Sequence, residues 1–410
     1  MNKDTKQSTF KQVFSVLSQF KQQFEEMNAD RYMKKMNTLQ FIELMINAQM
    51  NQEPALRDIA GSLSRDDLGK EIDLGSISAS TVSRRLRDLG TEVLQMLFAG
   101  LVTRFGCKTG FANIEKSLGN IYMIDSTTIT LCLTKYRWAE FRSTKAGVKA
   151  HLRLKFGVDG NFPDKVVITP ARPSDRTQMD ELVVDETGAL NLFDRGYNDY
   201  AKFDEYCAKG VLFITRLKSN AIVDVGADNP VDPESAIDSD QIVRLGTGDD
   251  RMEHNLRLLK TTDAEGKQVM ILTNDFARSA EEIGDLYRYR WQIELFFKWI
   301  KQHLTVKHLY GEGMQAVENQ IFMALITYCL LMLLKMETGF TGTLLMIQRL
   351  LKTCLFEPFD TFLQKLFREK RRSKGQRKID YQLIFDTTLR QVMTGEADHL
   401  DDLTFDPVVL

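Results

Sequence analysis

Between residues 287 and 301 the chain sets a phenol, a guanidinium, a carboxylate and two ammonium groups at helical spacing: Tyr287, Arg290, Glu294, Lys298 and Lys301. At about 100° per residue these five share one arc of a helix, and Leu286, Ile293, Phe297, Ile300 and Leu304 share the arc beside it. A carboxylate among cations, next to a face that anchors the helix, suits phosphate or metal chemistry. It equally suits a solvated face, since Glu294 and Lys298 form an ordinary i,i+4 pair. Upstream, two apolar runs each end on an aspartate. Residues 120–124 (NIYMI) lead into Asp125, and residues 189–193 (ALNLF) lead into Asp194, followed by Arg195-Gly196-Tyr197. An acid at the end of a buried strand costs several kcal/mol unless something partners it. Each is therefore a metal ligand, a turn cap or a salt-bridge partner.

The elements that must position these groups read as an α/β fold. Residues 281–308 contain no proline and predict one long helix. Residues 120–124 and 129–133 predict strands on either side of Asp125-Ser126-Thr127-Thr128. Residues 151–159 alternate cleanly, with Leu152, Leu154, Phe156 and Val158 on one face, and predict a hairpin with 165–170. A helix over 199–209 and a strand over 211–217 follow. Residues 1–115 predict a helical region, with helices near 8–27, 31–50 and 54–64 and a helix-turn-helix-like unit over 55–89. In its second helix, 78–89, Ser78 or Ser80 is the N-cap, and Val82, Leu86 and Leu89 make the inner stripe. Thr81, Ser83, Arg84, Arg85 and Arg87 then face outward, the make-up of a helix that reads a DNA groove and holds phosphate. A basic surface helix of a structural bundle would have the same pattern, and the gap between the two helices is longer than the usual tight turn. Residues 311–410 predict further helices and a basic segment that includes Arg371 and Arg372, suited to phosphate or to a solvated surface.

The spacing of Tyr287, Arg290, Glu294 and Lys301 resembles the tyrosine–arginine–glutamate–lysine motif of bacterial insertion-sequence transposases of the type-four family. The segments Met-Ile-Asp-Ser-Thr (123–127) and Phe-Asp-Arg-Gly-Tyr (193–197) are similar to that family's first and second catalytic aspartate sites. The resemblance spans roughly 122–308. It implies a ribonuclease-H-like catalytic core in two parts, 116–217 and 276–310, interrupted by a β-rich insertion over 218–275. It implies Asp125, Asp194 and Glu294 as a catalytic and metal-binding triad for two Mg²⁺ ions, with Mn²⁺ as a substitute. Tyr287, Arg290, Lys298 and Lys301 would contact DNA. The implied reaction is cleavage of double-stranded DNA at transposon ends and strand transfer into a target by a cut-and-paste route, with a homodimer pairing the ends. A nuclease that cuts without joining, and an inert DNA-binding repressor, share the same motifs.

Composition narrows the class. Of the 410 residues 43% are hydrophobic and 27% charged, ordinary for a globular chain of several units. No apolar run reaches the roughly 18–20 residues of a membrane span. The longest, 321–334, predicts a core helix and no membrane partner. The N-terminus has no apolar signal region. Five scattered cysteines suggest neither zinc nor disulfides and fit a bacterial cytoplasm, close to the nucleoid. The net charge of −2 is segregated: 135–155 carries seven Lys or Arg against Glu140, whereas 221–250 carries eight acids against Arg244. Local basic patches therefore coexist with near-neutrality, and nucleic acid stays open as a partner.

Overall fold

The computed structural model describes residues 7–65, 67–108, 120–156, 162–262 and 268–368; Arg371 and Arg372 lie outside them. The chain opens with helices α1 (Thr9–Ser18), α2 (Lys21–Glu26), α3 (Thr38–Asn51), α4 (Leu56–Arg65), α5 (Leu68–Glu71), α6 (Ala79–Asp88) and α7 (Thr91–Lys108). The expected 8–27 helix is divided between α1 and α2. The one expected over 31–50 begins only at Thr38, where Asn37 and Gln40 form a capping box.

In α6 the Ser78 hydroxyl accepts from the Thr81 N–H, and Val82, Leu86 and Leu89 are buried as expected. Arg84 and Arg87 are exposed, and Thr81 and Ser83 are half-buried. Arg85 departs from the expected outward face. It is only 4% exposed, and its guanidinium bonds Asp30 at 2.8 Å and the Thr38 hydroxyl. Arg85 lies three residues past Val82, so it borders the inner stripe, and the half-exposed Asp30 carboxylate with the buried Thr38 hydroxyl draws it in.

The second half of the chain builds one ten-stranded sheet. Its members are β1 (Asn120–Leu131), β2 (Glu140–Arg142), β3 (Lys145–Lys155), β4 (Phe162–Pro170), β5 (Ala189–Phe193), β6 (Leu212–Arg216), β7 (Val223–Asn229), β8 (Ile237–Leu245), β9 (Leu256–Thr262) and β10 (Gln268–Thr273). Helix α8 (Met179–Leu182) precedes β5, and α9 (Tyr200–Lys209) joins β5 to β6. The order β4-β3-β1-β5-β6 has β3 and β4 antiparallel to their neighbours and β5 and β6 parallel to β1. This is the ribonuclease-H-like arrangement. The β-rich insertion does not form a separate sheet. β10 pairs antiparallel with β6, and β9, β8 and β7 follow outward, so the edge of β6 is covered instead of left open.

Two elements differ from expectation near the acids. β1 is a single strand that runs straight through Asp125, because β3 pairs with it along its length, from Tyr122↔Lys155 to Leu131↔Ala146. Its β-branched run Thr127, Thr128, Ile129 and Thr130 favours extended backbone. The long helix is two: α10 (Ala280–Tyr289), capped by Ser279 and Glu282, and α11 (Trp291–His303). At the junction the Arg290 N–H bonds Tyr287 O, and the Ile293 N–H bonds Arg290 O, both at 3.2 Å. Three-residue bonds tighten the chain there without proline or glycine to announce it.

Helices α12 (Met314–Thr338), α13 (Leu344–Cys354) and α14 (Phe359–Leu366) complete the described chain. α12 is long and apolar enough, by length and composition, to cross a membrane, which the run length had not suggested; 78% of its most apolar window is buried inside the protein. It packs against α3, α6, α7, α11 and β4. Each fully buried leucine along it contributes about 2 kcal/mol. Among the described residues, α3, α6 and α7 of the N-terminal region cover this core helix.

Arg85→Ala is expected to lower stability by about 2 kcal/mol, because it removes both bonds and leaves half-exposed Asp30 without its cation. Arg84→Ala should change it by less than about 0.5 kcal/mol. Urea denaturation of the two variants checks this, and equal effects would show that Arg85 is not an internal tie.

Candidate active site

The site begins with strand register. β1 and β5 pair in parallel from Asn120↔Ala189 to Ile124↔Phe193, where the pairing stops. The next residues are Asp125 on one strand and Asp194 on the other. Neighbouring strands lie about 4.8 Å apart, so two acids far apart in sequence start from adjacent backbone positions. The chain then diverges. β1 continues, and one Asp125 oxygen accepts from the Ser126 N–H at 2.7 Å. β5 ends, and Asp194 caps a tight turn by accepting the Gly196 N–H at 2.6 Å. A Cβ on Gly196 would stand 2.8 Å from that Asp194 oxygen, so only glycine admits the turn with the carboxylate in place.

The third acid arrives on α11, which packs on β1. One Arg290 nitrogen lies 3.0 Å from Glu294 and 3.4 Å from Asp125. A single guanidinium thus bridges helix and strand. Burial pushes the Asp125 carboxyl up to about 8, with Asp194 and Glu294 adding to the rise and Arg290 opposing it. Burial also raises Glu294, again against Arg290. For Arg290, burial opposes its charge but is outweighed by Tyr287, Glu294, Asp125 and Asp194, which hold it firmly protonated.

The remaining residues of the expected arc divide by burial. Tyr287 is 5% and Arg290 4% exposed, and the guanidinium lies 5.7 Å from the centre of the Tyr287 ring. Both are enclosed, not presented on a surface. Lys298 and Lys301 are half-buried, and Lys301 donates to the Thr128 carbonyl of β1 at 3.2 Å. Leu286, Ile293, Phe297, Ile300 and Leu304 are all buried as the helical spacing predicts. Thr81, Ser83, Arg84 and Arg85 belong to α6, which docks on α12, and none of the contacts found for them reaches the acids.

A second polar group beside the acids was missed. Asp175 accepts from the Ser126 hydroxyl at 2.8 Å and from Lys149 at 2.9 Å, and faces His151 Nδ1 at 3.6 Å. His151 is fully buried and bonds Thr169; burial lowers it to about 4 against the pull of Asp175, so it is neutral near pH 7. Tyr197, 1% exposed, closes the same region. Only the alternation of β3 hinted at this cluster, since it puts Lys149 and His151 on the face opposite Leu152. Nothing local marks Asp175, which comes from the loop after β4.

Three carboxylates against one guanidinium form an oxygen-donor set with excess negative charge in a buried setting. This donor chemistry fits hard divalent cations. Among the described residues no three His, Cys, Asp or Glu side chains stand close enough to chelate one ion; Arg290 holds Asp125 and Glu294 instead.

Gly196→Ala is expected to cost about 1–3 kcal/mol through the clash with Asp194. Adding Asp194→Ala should recover most of that loss. A double-mutant cycle in urea measures the coupling, and simple additivity would mean that the carboxylate does not fill the space over Gly196.

Comparison with known proteins gives this geometry its family. Residues 116–330, more than half of the chain, match a family model described as a transposase DDE domain, and residues 5–71 match a domain of unknown function. A putative transposase, y4zB, of Sinorhizobium fredii is 36% identical over 247 residues, covering 58% of this chain and 67% of that protein. A probable transposase for insertion sequence element IS5377 of Geobacillus stearothermophilus is 29% identical over 296 residues, covering 71% of this chain and 75% of its own. A solved piggyBac transposase synaptic complex with hairpin DNA aligns at 11% identity and a TM-score of 0.42, over 93% of this chain and 84% of that one. The domain match contains both strand-borne aspartates and the glutamate helix, and with the sequence relatives it shows that the chain belongs to the DDE transposase family.

Proposed function

We propose that this transposase cuts double-stranded DNA at the ends of an insertion sequence and joins the freed 3′ end to target DNA in a cut-and-paste reaction. Asp125, Asp194 and Glu294 are the acids that hold two Mg²⁺ ions, with Mn²⁺ as a substitute. The observation that carries the reading is the end of the β1–β5 pairing, which sets Asp125 beside Asp194, with Glu294 tied to Asp125 through Arg290. When bound, the ions would supply water activation, leaving-group stabilisation and charge neutralisation at phosphorus.

The chain's own residues have separate tasks in this reading. Asp125, rising from a strand paired on one edge throughout, is the rigid member of the set. Asp194 is aimed by its cap on the Gly196 turn. Glu294 comes from a helix that begins just after Arg290 and packs on β1. Arg290 orients Glu294 and Asp125 and offsets part of their charge. Lys298 and Lys301, half-buried on α11, meet DNA phosphate. Thr81, Ser83 and Arg84 of α6 meet the transposon end, whereas Arg85 positions α6 from beneath. Two copies pair the two ends.

Asp125→Ala, Asp194→Ala and Glu294→Ala should each abolish Mg²⁺-dependent cleavage of an end-containing duplex and leave binding of that duplex within a few-fold. A variant that still cuts near the wild-type rate would remove that residue from the set. The same assay separates the closest other activity: a product that is cut but never joined to target DNA would make the chain a nuclease without strand transfer.

Sequence recognition has its own readout. Arg84→Ala should reduce discrimination between end and random DNA by about 1–3 kcal/mol for a lost base contact. Competition binding measures it, and equal loss on both DNAs would reassign Arg84 to phosphate.

A further inference from the structure

The four exposed cations Lys135, Arg137, Arg142 and Lys145 are not used by the site described above. Lys135 and Arg137 sit on the loop that leaves β1, and Arg142 and Lys145 flank the tip of the β2–β3 hairpin. Among the described residues Arg137, Arg142 and Lys145 have no acidic partner; Lys135 lies 3.7 Å from Glu312. The neighbouring acids are Glu140 and Glu312, so the patch keeps a positive excess. The loop is held in place: Tyr136 donates its hydroxyl to Gly311 O at 3.4 Å, and the Trp138 indole N–H donates to Glu312 O at 2.8 Å.

That anchoring segment also receives α6. A Cβ on Gly311 would stand 2.5 Å from the Ala316 methyl and 3.8 Å from a Leu86 methyl. Asn319 donates to the carbonyls of Leu86 and Leu89 at 2.9 and 2.7 Å. The arginine helix and the basic loop thus both reach Gly311. At the other end, β1 runs without a break from Leu131, which pairs with Ala146 beside the hairpin tip, back to Asp125. Six residue steps of strand span about 20 Å, which is about six base pairs of duplex at 3.4 Å each.

We propose that Lys135, Arg137, Arg142 and Lys145 form a binding surface for the phosphate backbone of duplex DNA, continuous with Arg84 of α6, whose neighbour Arg87 is held by Asp88. It holds the stretch of duplex between the bases met by α6 and the bond over Asp125. The inference rests on the proposed function for its partner, but not on which acids are catalytic. Such a surface contributes affinity and register without reading sequence. Its rigidity, with one end on the sheet and the other on the Gly311 junction, fixes how far the cut lies from the recognised bases.

The test is fluorescence anisotropy of the full chain on a random duplex of about 30 base pairs in EDTA, across a series of NaCl concentrations. Arg142→Ala with Lys145→Ala should lower the slope of log K against log salt by about 2, roughly 0.9 per lost phosphate contact. Affinity near 100 mM salt should fall about tenfold, with the urea midpoint unchanged. Lys135→Ala with Arg137→Ala reads the same slope independently, and Arg142→Lys with Lys145→Arg should keep it. Wild-type slopes in both alanine pairs would overturn this surface and leave the proposed function standing. A wild-type chain with no salt-dependent duplex binding would overturn both.

Discussion

Everything at the acid cluster depends on five residue pairs of parallel strand. The β1–β5 ladder fixes Ile124 against Phe193 and so brings the next residue of each strand, Asp125 and Asp194, to one edge. A slip of one residue would send Asp125 to the other face of the sheet and away from α11. Both strands are buried where they pair: Ile121, Met123 and Ile124 on one, Ala189, Leu190, Leu192 and Phe193 on the other. A slipped register would expose or clash all of them at once. The hydrophobic core therefore specifies the position of the carboxylates, although no carboxylate contributes to that core.

The second constraint is charge. Three acids gathered in a partly buried pocket repel one another, and burial penalises each ionised form. Arg290 is the local answer, and it stands at the junction between α10 and α11, where three-residue bonds tighten the chain. A guanidinium that must lie near Tyr287, Glu294 and Asp125 together sits where the helix tightens for one turn. The network around Asp175 supports the same strand from another side. Ser126, next in sequence to Asp125, is tied through its hydroxyl to a carboxylate that Lys149 also holds. Neutral His151 adds bulk and a bond to Thr169 without adding charge.

The rest of the chain extends these two constraints outward. The insertion strands β7–β10 continue the sheet beyond β6 and so brace the edge next to Asp194. α12 does the same for the helical side. It takes α11 and β4 on one part of its surface and α3, α6 and α7 on others, which couples the arginine helix to the catalytic sheet through one buried rod. The Asn319 bonds to Leu86 and Leu89 show the coupling directly. An N-terminal region that packs this way is set in a fixed orientation to the acids.

The sequence by itself determined the elements whose pattern is local. The apolar runs before Asp125 and Asp194, the buried stripe of Leu286, Ile293, Phe297, Ile300 and Leu304, and the Ser78 cap of α6 were legible because strand and helix periodicity are written in consecutive residues. The three acids became candidates through motif spacing and the family resemblance that it carries. Tertiary structure alone decided the rest, because pairing across distance leaves no local mark. β1 continues through Asp125 because β3, which comes later in the chain, supplies a partner for each residue from Tyr122 to Leu131. The insertion joins the main sheet because β6 had an open edge. Arg85, Tyr287 and Arg290 read as surface groups by angle, yet they turn inward because Asp30 and the buried Thr38 hydroxyl, or the acid cluster, await them. Asp175 had no signal at all: its role is created by Lys149 and His151, residues of a strand that it meets only when the loop after β4 folds back.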